Sequence, residues 1–250
     1  MRRLINEIDS FWMAIQYFSR IPVPYAIHYD QERMKRSILF LPAVGWIIGF
    51  FLFLFYQMTA DLFPRNFHSI LLVSFLLWIT GGLHADGWMD VFDGIGSSRD
   101  KEKMLAIMKD SRVGAMGVIG FVILFALKTS SLNSINSNFF MEVLLVSPLL
   151  ARFGVVLAVF FFPYARKEGL GRMLKEALTL KTFLFTLLWI LPLFWLTSYG
   201  IYMFLLITGF VFLFGVYFTK KLGGLTGDVY GWLIEGGETV LWLMFVLLSR

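Results

Sequence analysis

Long apolar runs dominate the chain. A helix needs about 20 apolar residues to cross the hydrocarbon core of a bilayer. Six stretches meet that requirement, at roughly 38–60, 67–83, 113–131, 139–162, 182–198 and 201–219. A seventh, at about 230–248, is apolar except for Glu235 and Glu238. Ahead of them, MRRLINEIDSFWMAIQYF carries Asn6, Glu7 and Asp9 inside its apolar stretch and is followed by no small-residue cleavage site. It reads as an amphipathic helix lying on the membrane surface, and a signal peptide would look different. The pattern predicts an all-α, polytopic membrane bundle of six or seven transmembrane helices plus an N-terminal amphipathic helix. There is no internal repeat and no low-complexity tract, so residues 1–250 read as a single membrane domain.

Composition sharpens this reading. Of 250 residues, 58% are hydrophobic and only 16% charged, with 28 Phe. A soluble fold of this length would expose large apolar patches, and disorder calls for the opposite composition. The chain has no Cys, which removes thiolate metal sites, cysteine nucleophiles and disulfides. Its net charge of +5 would suggest nucleic acid in a soluble protein. Here the basic residues instead cluster in alternate loops, as membrane topology requires. Arg2, Arg3, Arg20, Arg33, Lys35 and Arg36 precede the first span, and Arg99, Lys101, Lys103, Lys109 and Arg112 follow the second. Arg166, Lys167, Arg172, Lys175 and Lys181 follow the fourth, and Lys220 and Lys221 the sixth. The other side holds Arg65, Lys128 and Arg250, and Arg152 lies inside span four. The positive-inside rule therefore places the N-terminal segment 1–37 and the segments 84–112 and 220–238 on the cytoplasmic side of the inner membrane. The expected partners are lipid bilayer and small molecules, with no nucleic acid; a homo-oligomer is compatible with the sequence.

Two acidic segments carry the candidate chemistry. In GGLHADGWMDVFDGIGSS, Asp86, Asp90 and Asp93 stand at i, i+4 and i+7, which on a helix brings them within about 60° of one another. Carboxylates on one stripe repel unless a cation lies among them, and a hard, oxygen-liganded Mg²⁺ suits phosphorylated substrates. The competing reading is a solvated acidic face paired with loop lysines. In KKLGGLTGDVYGWLIEGGE, Asp228 and Glu235 are again i, i+7, with Glu238 one turn on. Carboxylates within an apolar span point to function, unless the last helix starts late and leaves both Glu in water. Between the segments, Lys109, Asp110 and Arg112 supply bases suited to neutralising a diphosphate. Lys220 and Lys221 are either further substrate contacts or membrane anchors. His84 is a candidate general base, a metal ligand or a structural group, and Arg152 must have a partner or line a polar cavity. GxxxxGK[ST], GxSxG and HExxH are absent, so phosphate-loop, serine-hydrolase and zinc-protease chemistry have no residues to stand on.

These segments, together with SRIPVP at 19–24, Pro42 and Gly45 in the first span, IMKDSRVGAMG at 107–117 and YARKEGLG at 164–171, resemble the cobalamin synthase family in order and over most of the chain. These are the adenosylcobinamide-GDP ribazoletransferases. The resemblance implies a membrane enzyme of cobalamin biosynthesis that joins adenosylcobinamide-GDP to alpha-ribazole or its 5′-phosphate. It would yield adenosylcobalamin or its 5′-phosphate and release GMP, with Mg²⁺ as cofactor. The expected metal ligands are Asp86, Asp90 and Asp93. Asp228, Glu235, Glu238 and His84 would be catalytic, and Lys109, Asp110, Arg112, Lys220 and Lys221 would bind substrate. Two alternatives are weighed against this. A CDP-alcohol phosphotransferase also places several Asp at membrane-boundary helices, but its DGxxAR signature fails here, where Asp86-Gly87 is followed by Trp88, Met89, Asp90 and Val91. A transporter could use Arg152, Glu235 and Glu238 along a path, although transport sites favour the bilayer midplane at a repeat interface.

Overall fold

A computed structural model describes residues 2–25, 27–97 and 100–249, with side chains from residue 7 onward. The basic positions Arg99 and Arg250, and the side chains of Arg2 and Arg3, lie outside the described residues. The described chain is built from helices: α1 (Arg2–Phe18), α2 (Gln31–Arg36), α3 (Leu41–Thr59), α4 (Arg65–Ile79), α5 (Leu83–Ser97), α6 (Lys101–Ile107) and α7 (Ala115–Ser134). They continue with α8 (Phe140–Phe161), α9 (Leu170–Ala177), α10 (Leu180–Thr186), α11 (Leu193–Leu196), α12 (Gly200–Leu222) and α13 (Gly227–Leu248). Five spans are long and apolar enough to cross a membrane, or seven if the bent pairs α4/α5 and α9/α10–α11 each count as one. The chain is thus a multi-pass helical membrane protein, as its hydropathy pattern predicts.

The bundle is organised around α8, whose residues from Val146 to Val159 are all buried. Helix α3 approaches it closely because Gly45 and Gly49, spaced as in GxxxG, remove the side chains that would separate the backbones. A Cβ on Gly45 would stand 2.5 Å from the Pro148 carbonyl oxygen, and one on Gly49 would stand 2.7 Å from that of Leu144. At the opposite extreme, Gly209 on α12 has open space where a Cβ would point.

Two breaks shape the molecule. Between α4 and α5 the chain turns by 94° through Gly81 (φ 67°) and Gly82 (φ 72°), two consecutive left-handed residues that a side chain would strain. The Arg20 amide bonds the Ile79 carbonyl at 2.7 Å, anchoring the segment after α1 to this corner. The second break corrects an expectation. The apolar stretch 182–198 is not one spanning helix but α10, a 3₁₀ turn at Leu187–Trp189, and the short α11. Pro192 stands at its centre, lacking an amide donor and crowding the preceding turn. Trp189 ties the irregular segment down by donating from Nε1 to the Leu39 carbonyl (3.0 Å), while its own carbonyl accepts from Trp46 Nε1 (2.9 Å).

Overpacking a close helix crossing costs about 1–3 kcal/mol. Gly45→Val should therefore lower the thermal unfolding midpoint of the detergent-purified protein markedly, whereas Gly209→Val should leave it near wild type. Fluorescence-monitored melting of both variants checks this.

Candidate active site

The site forms where the first turns of α5 and α13 cross. Helix α13 starts at Thr226, whose hydroxyl caps it by accepting from the Val229 amide (3.2 Å). Asp228 then occupies the first turn, where the helix dipole favours a carboxylate. The two helices touch at glycines. A Cβ on Gly87 would lie 2.7 Å from the Asp228 carbonyl oxygen, and one on Gly231 would lie 3.0 Å from that of His84. This contact brings Asp86 and Asp228, 142 positions apart in sequence, to one hollow. The cavity holds about 500 Å³ and is lined by His84, Asp86, Lys109, Tyr164, Arg166 and Asp228, with Phe18, Leu41, Val155 and Ile234 on its apolar side.

A third strand of backbone completes it. Tyr164 and Leu225 form a single parallel bridge: the Ala165 amide donates to the Leu225 carbonyl (2.8 Å) and the Leu225 amide to that of Pro163 (2.8 Å). Gly224, at φ 152°, lies so close that a Cβ there would be 2.7 Å from the Pro163 oxygen. The bridge delivers Arg166 to the site, where Nη2 donates to Asp228 Oδ2 at 2.6 Å. Burial pushes the Tyr164 phenol above its ordinary pKa.

The expected residues divide into three groups. Asp86, Asp228, His84 and Lys109 line the cavity, and Asp90 lies within the electrostatic reach of Asp86, Asp228 and Asp93, opposed by Arg166. Asp93 is buried and faces α7, where Oδ2 accepts from the Gly114 amide (2.7 Å) and Oδ1 from the Gly117 amide (2.8 Å). It thereby caps the start of α7 from a neighbouring helix, a task that competes with metal ligation. A second group lies away from the cavity. Arg112 is bonded to Asp110 (2.6 Å), its side chain 87% exposed, and these hydrogen bonds hold the Asp110 carboxyl down to about 2. Lys220 and Lys221 are exposed at the end of α12.

The third group is the most altered from expectation. Glu235 and Glu238 are neither in water nor in the cavity. They are 2% and 0% exposed and are ion-paired within the bundle. Lys128 pairs with Glu235 and, at 2.7 Å, with Glu238; Arg152 pairs with the other oxygen of Glu238. Lys128, expected on the outer side, is instead 1% exposed inside α7, because two carboxylates on α13 require its charge. Arg152 has the partner its burial demands. Both oxygens of Glu238 and one of Glu235 are paired with cations, and neither Glu lines the cavity.

Among the described residues, no three His, Asp or Glu side chains converge as a ready-made metal site. Mg²⁺ commonly binds through one or two carboxylates, several waters and substrate phosphates. Asp86 and Asp228 on the cavity, with Asp90 within electrostatic reach of both, make an all-oxygen set that fits that chemistry, with Lys109 and Arg166 available to phosphate oxygens.

The geometry therefore presents carboxylates and bases around a hollow large enough for part of a phosphorylated substrate. The model of cobalamin-5-phosphate synthase matches residues 10–246. The chain belongs to this family. Its curated relatives include the adenosylcobinamide-GDP ribazoletransferase of Brevibacillus brevis, 37% identical over 244 residues and covering 96% of this chain and 98% of that protein. Those of Caldanaerobacter subterraneus subsp. tengcongensis (34% over 252 residues, 98% and 100%) and Desulfitobacterium hafniense (37% over 248 residues, 96% of each) align over similar lengths. No solved structure matches. This cobalamin-5-phosphate synthase family member is accordingly an enzyme, a transferase of cobalamin biosynthesis, and the transporter and CDP-alcohol phosphotransferase alternatives give way.

In the sequence Arg166 is one loop base among several, and only the Tyr164–Leu225 bridge singles it out. A hydrogen bond to a charged partner contributes about 1.5–3 kcal/mol. Arg166→Ala should therefore lower product formation by about 10- to 100-fold, and Arg112→Ala should change it by less than about threefold. Steady-state assays in detergent compare the two.

Proposed function

We propose that this chain joins adenosylcobinamide-GDP to alpha-ribazole or alpha-ribazole 5′-phosphate, with Mg²⁺, forming adenosylcobalamin or its 5′-phosphate and GMP. The single observation carrying this reading is that Asp86 and Asp228, with Lys109 and Arg166, line one cavity. The ribazole hydroxyl oxygen forms a new bond to the corrinoid-side phosphorus of the diphosphate. The bond from that phosphorus to the GMP oxygen breaks, and GMP leaves with the electron pair. Bound Mg²⁺ would neutralise the diphosphate oxygens and the charge that develops on the leaving GMP. Asp86 and Asp90 would hold it, with Asp228 as a third oxygen donor. Lys109 and Arg166 offset the charge on the non-bridging oxygens. The hydroxyl proton passes to a carboxylate of the cavity.

The relatives' shared name supports the substrates, and the basic loops support placing residues 1–37, 84–112 and 220–238 on the cytoplasmic side of the inner membrane. Arg166, Lys109 and Lys101 all lie at this end of the molecule. The half-apolar wall of Phe18, Leu41, Val155 and Ile234 is suited to the non-phosphorylated part of a bulky substrate.

Asp86→Asn and Asp228→Asn should each abolish GMP release while leaving expression and the melting transition intact. Chelation with EDTA should stop the wild-type reaction and added Mg²⁺ should restore it. Wild-type protein that forms product unchanged in EDTA would remove the metal from this reading. Near-normal GMP release by both Asn variants would remove the site.

A further inference from the structure

A second hollow, of about 690 Å³, shares no lining residue with the reaction cavity. Its polar rim is Glu7, Glu32, Lys35, Arg36, Glu176 and Lys181. Leu39, Phe40 and Phe185 form its apolar side, where the two phenyl rings meet edge to face at 6.5 Å. Both walls of this hollow change from charged to apolar where they line it. On one wall the charged helix α2 passes through the 3₁₀ turn Ser37–Phe40 into the apolar α3. On the other, the charged helix α9 ends and the apolar segment after Lys181 begins. In a membrane protein, the point where a span passes from charge to apolar residues meets the headgroup layer of the bilayer.

The rim carries both signs of charge in balance, Glu7, Glu32 and Glu176 against Lys35, Arg36 and Lys181. Arg36 is committed to Glu7. The remaining contacts are looser: Lys35 reaches Glu32 at 3.3 Å and Glu176 at 3.5 Å, and Arg172 reaches Glu176 at 3.4 Å. Among the described residues Lys181 makes no ion pair. A phosphodiester can take the free ammonium of Lys181 in a charge-assisted contact. A carboxylate has about four acceptor sites and a primary ammonium three donors, so Glu176 can accept an ammonium beside its present neighbours. A ligand carrying one phosphate and one primary ammonium leaves the rim neutral, whereas an anionic lipid adds unbalanced charge and a choline group has no N–H to donate.

We propose that this hollow binds a membrane phospholipid with a primary ammonium headgroup, as in phosphatidylethanolamine. Lys181 takes the phosphate, Glu176 the ammonium, and Leu39, Phe40 and Phe185 the upper part of the acyl chains. The bound lipid also acts on the reaction cavity, because α9 borders both spaces: Leu170, Gly171 and Leu174 line the cavity, while Glu176 lines the hollow. Helix α1 does the same, with Glu7 on the hollow and Tyr17 and Phe18 on the cavity. Occupation of the hollow braces α9 and so steadies one wall of the cavity. The inference stands whatever reaction the cavity performs.

Two measurements that need no turnover test the proposal. In the first, the delipidated full chain in detergent is titrated by native mass spectrometry with phosphatidylethanolamine, phosphatidylcholine and phosphatidylglycerol of one acyl composition. Phosphatidylethanolamine should bind at least about fivefold more tightly than either of the others. Glu176→Gln combined with Lys181→Gln removes both charged contacts and should weaken that binding by about tenfold or more. Lys103→Gln, at an exposed lysine of α6, should stay within about twofold of wild type. Both altered side chains of the double variant are exposed; should it nonetheless melt early, Lys181→Gln alone is read in the same way. In the second, hydrogen exchange of residues 170–177 is compared in phosphatidylcholine nanodiscs with and without phosphatidylethanolamine. Exchange should slow at least about threefold with the ammonium lipid in wild type and stay unchanged in the variant. Equal binding of all three lipids would mean an ordinary lipid annulus and overturns the proposal, as does tighter binding of phosphatidylglycerol. Undiminished phosphatidylethanolamine binding by the variant, or α9 exchange indifferent to that lipid in wild type, overturns it as well.

Discussion

Two carboxylates placed in a hydrocarbon-lined interior must be neutralised where they stand, and the packing of this bundle is arranged to do it. Glu235 and Glu238 lie on one face of α13 and receive Lys128 from α7 and Arg152 from α8. Losing one partner of such a buried set exposes the others' charge, at a cost of about 3–5 kcal/mol. The register of three helices is therefore pinned to a single depth. Since α13 carries Asp228 about two and three turns before these glutamates, the same register sets the height of the cavity floor.

Around that pinned core the catalytic end is assembled from backbone features more than from large side chains. Glycines at 87 and 231 let α5 and α13 touch, and the bridge between Tyr164 and Leu225 adds the loop that follows α8. The acidic and basic groups of the cavity come from four separate stretches of chain: His84 and Asp86 from α5, Lys109 after α6, Arg166 and Glu168 after α8, and Asp228 from α13. A centre of this kind can combine a fixed carboxylate pair with bases on loops, which phosphoryl transfer uses for positioning and charge compensation.

Much of this was legible in the residues. Hydropathy located the membrane helices, and the i, i+4, i+7 spacing put Asp86, Asp90 and Asp93 on one helix that exists as α5. The juxtaposition of the two acidic segments is present as inferred. Helical spacing could not reveal that Asp93 turns to the amides of α7, because that contact joins positions 21 and 24 residues apart. Nor could it separate Arg166 from its neighbour Lys167, since the difference between them is a two-bond backbone bridge with no pattern of its own. Arg112 has the same side chain as Arg166 and lies nearer the acidic motif in sequence, yet it is spent on Asp110 in solvent. Pro192 did signal the interruption of 182–198, but the surrounding apolar run masked it.

The ion cluster also has an order of assembly written into it. Lys128 and Arg152 precede Glu238 by 110 and 86 residues, so a nascent chain inserts two positive charges into the bilayer well before their counter-ions emerge from the ribosome. Docking of α13 supplies both counter-ions and also brings Asp228 beside Asp86, so neutralising the buried charges and forming the cavity belong to one packing event.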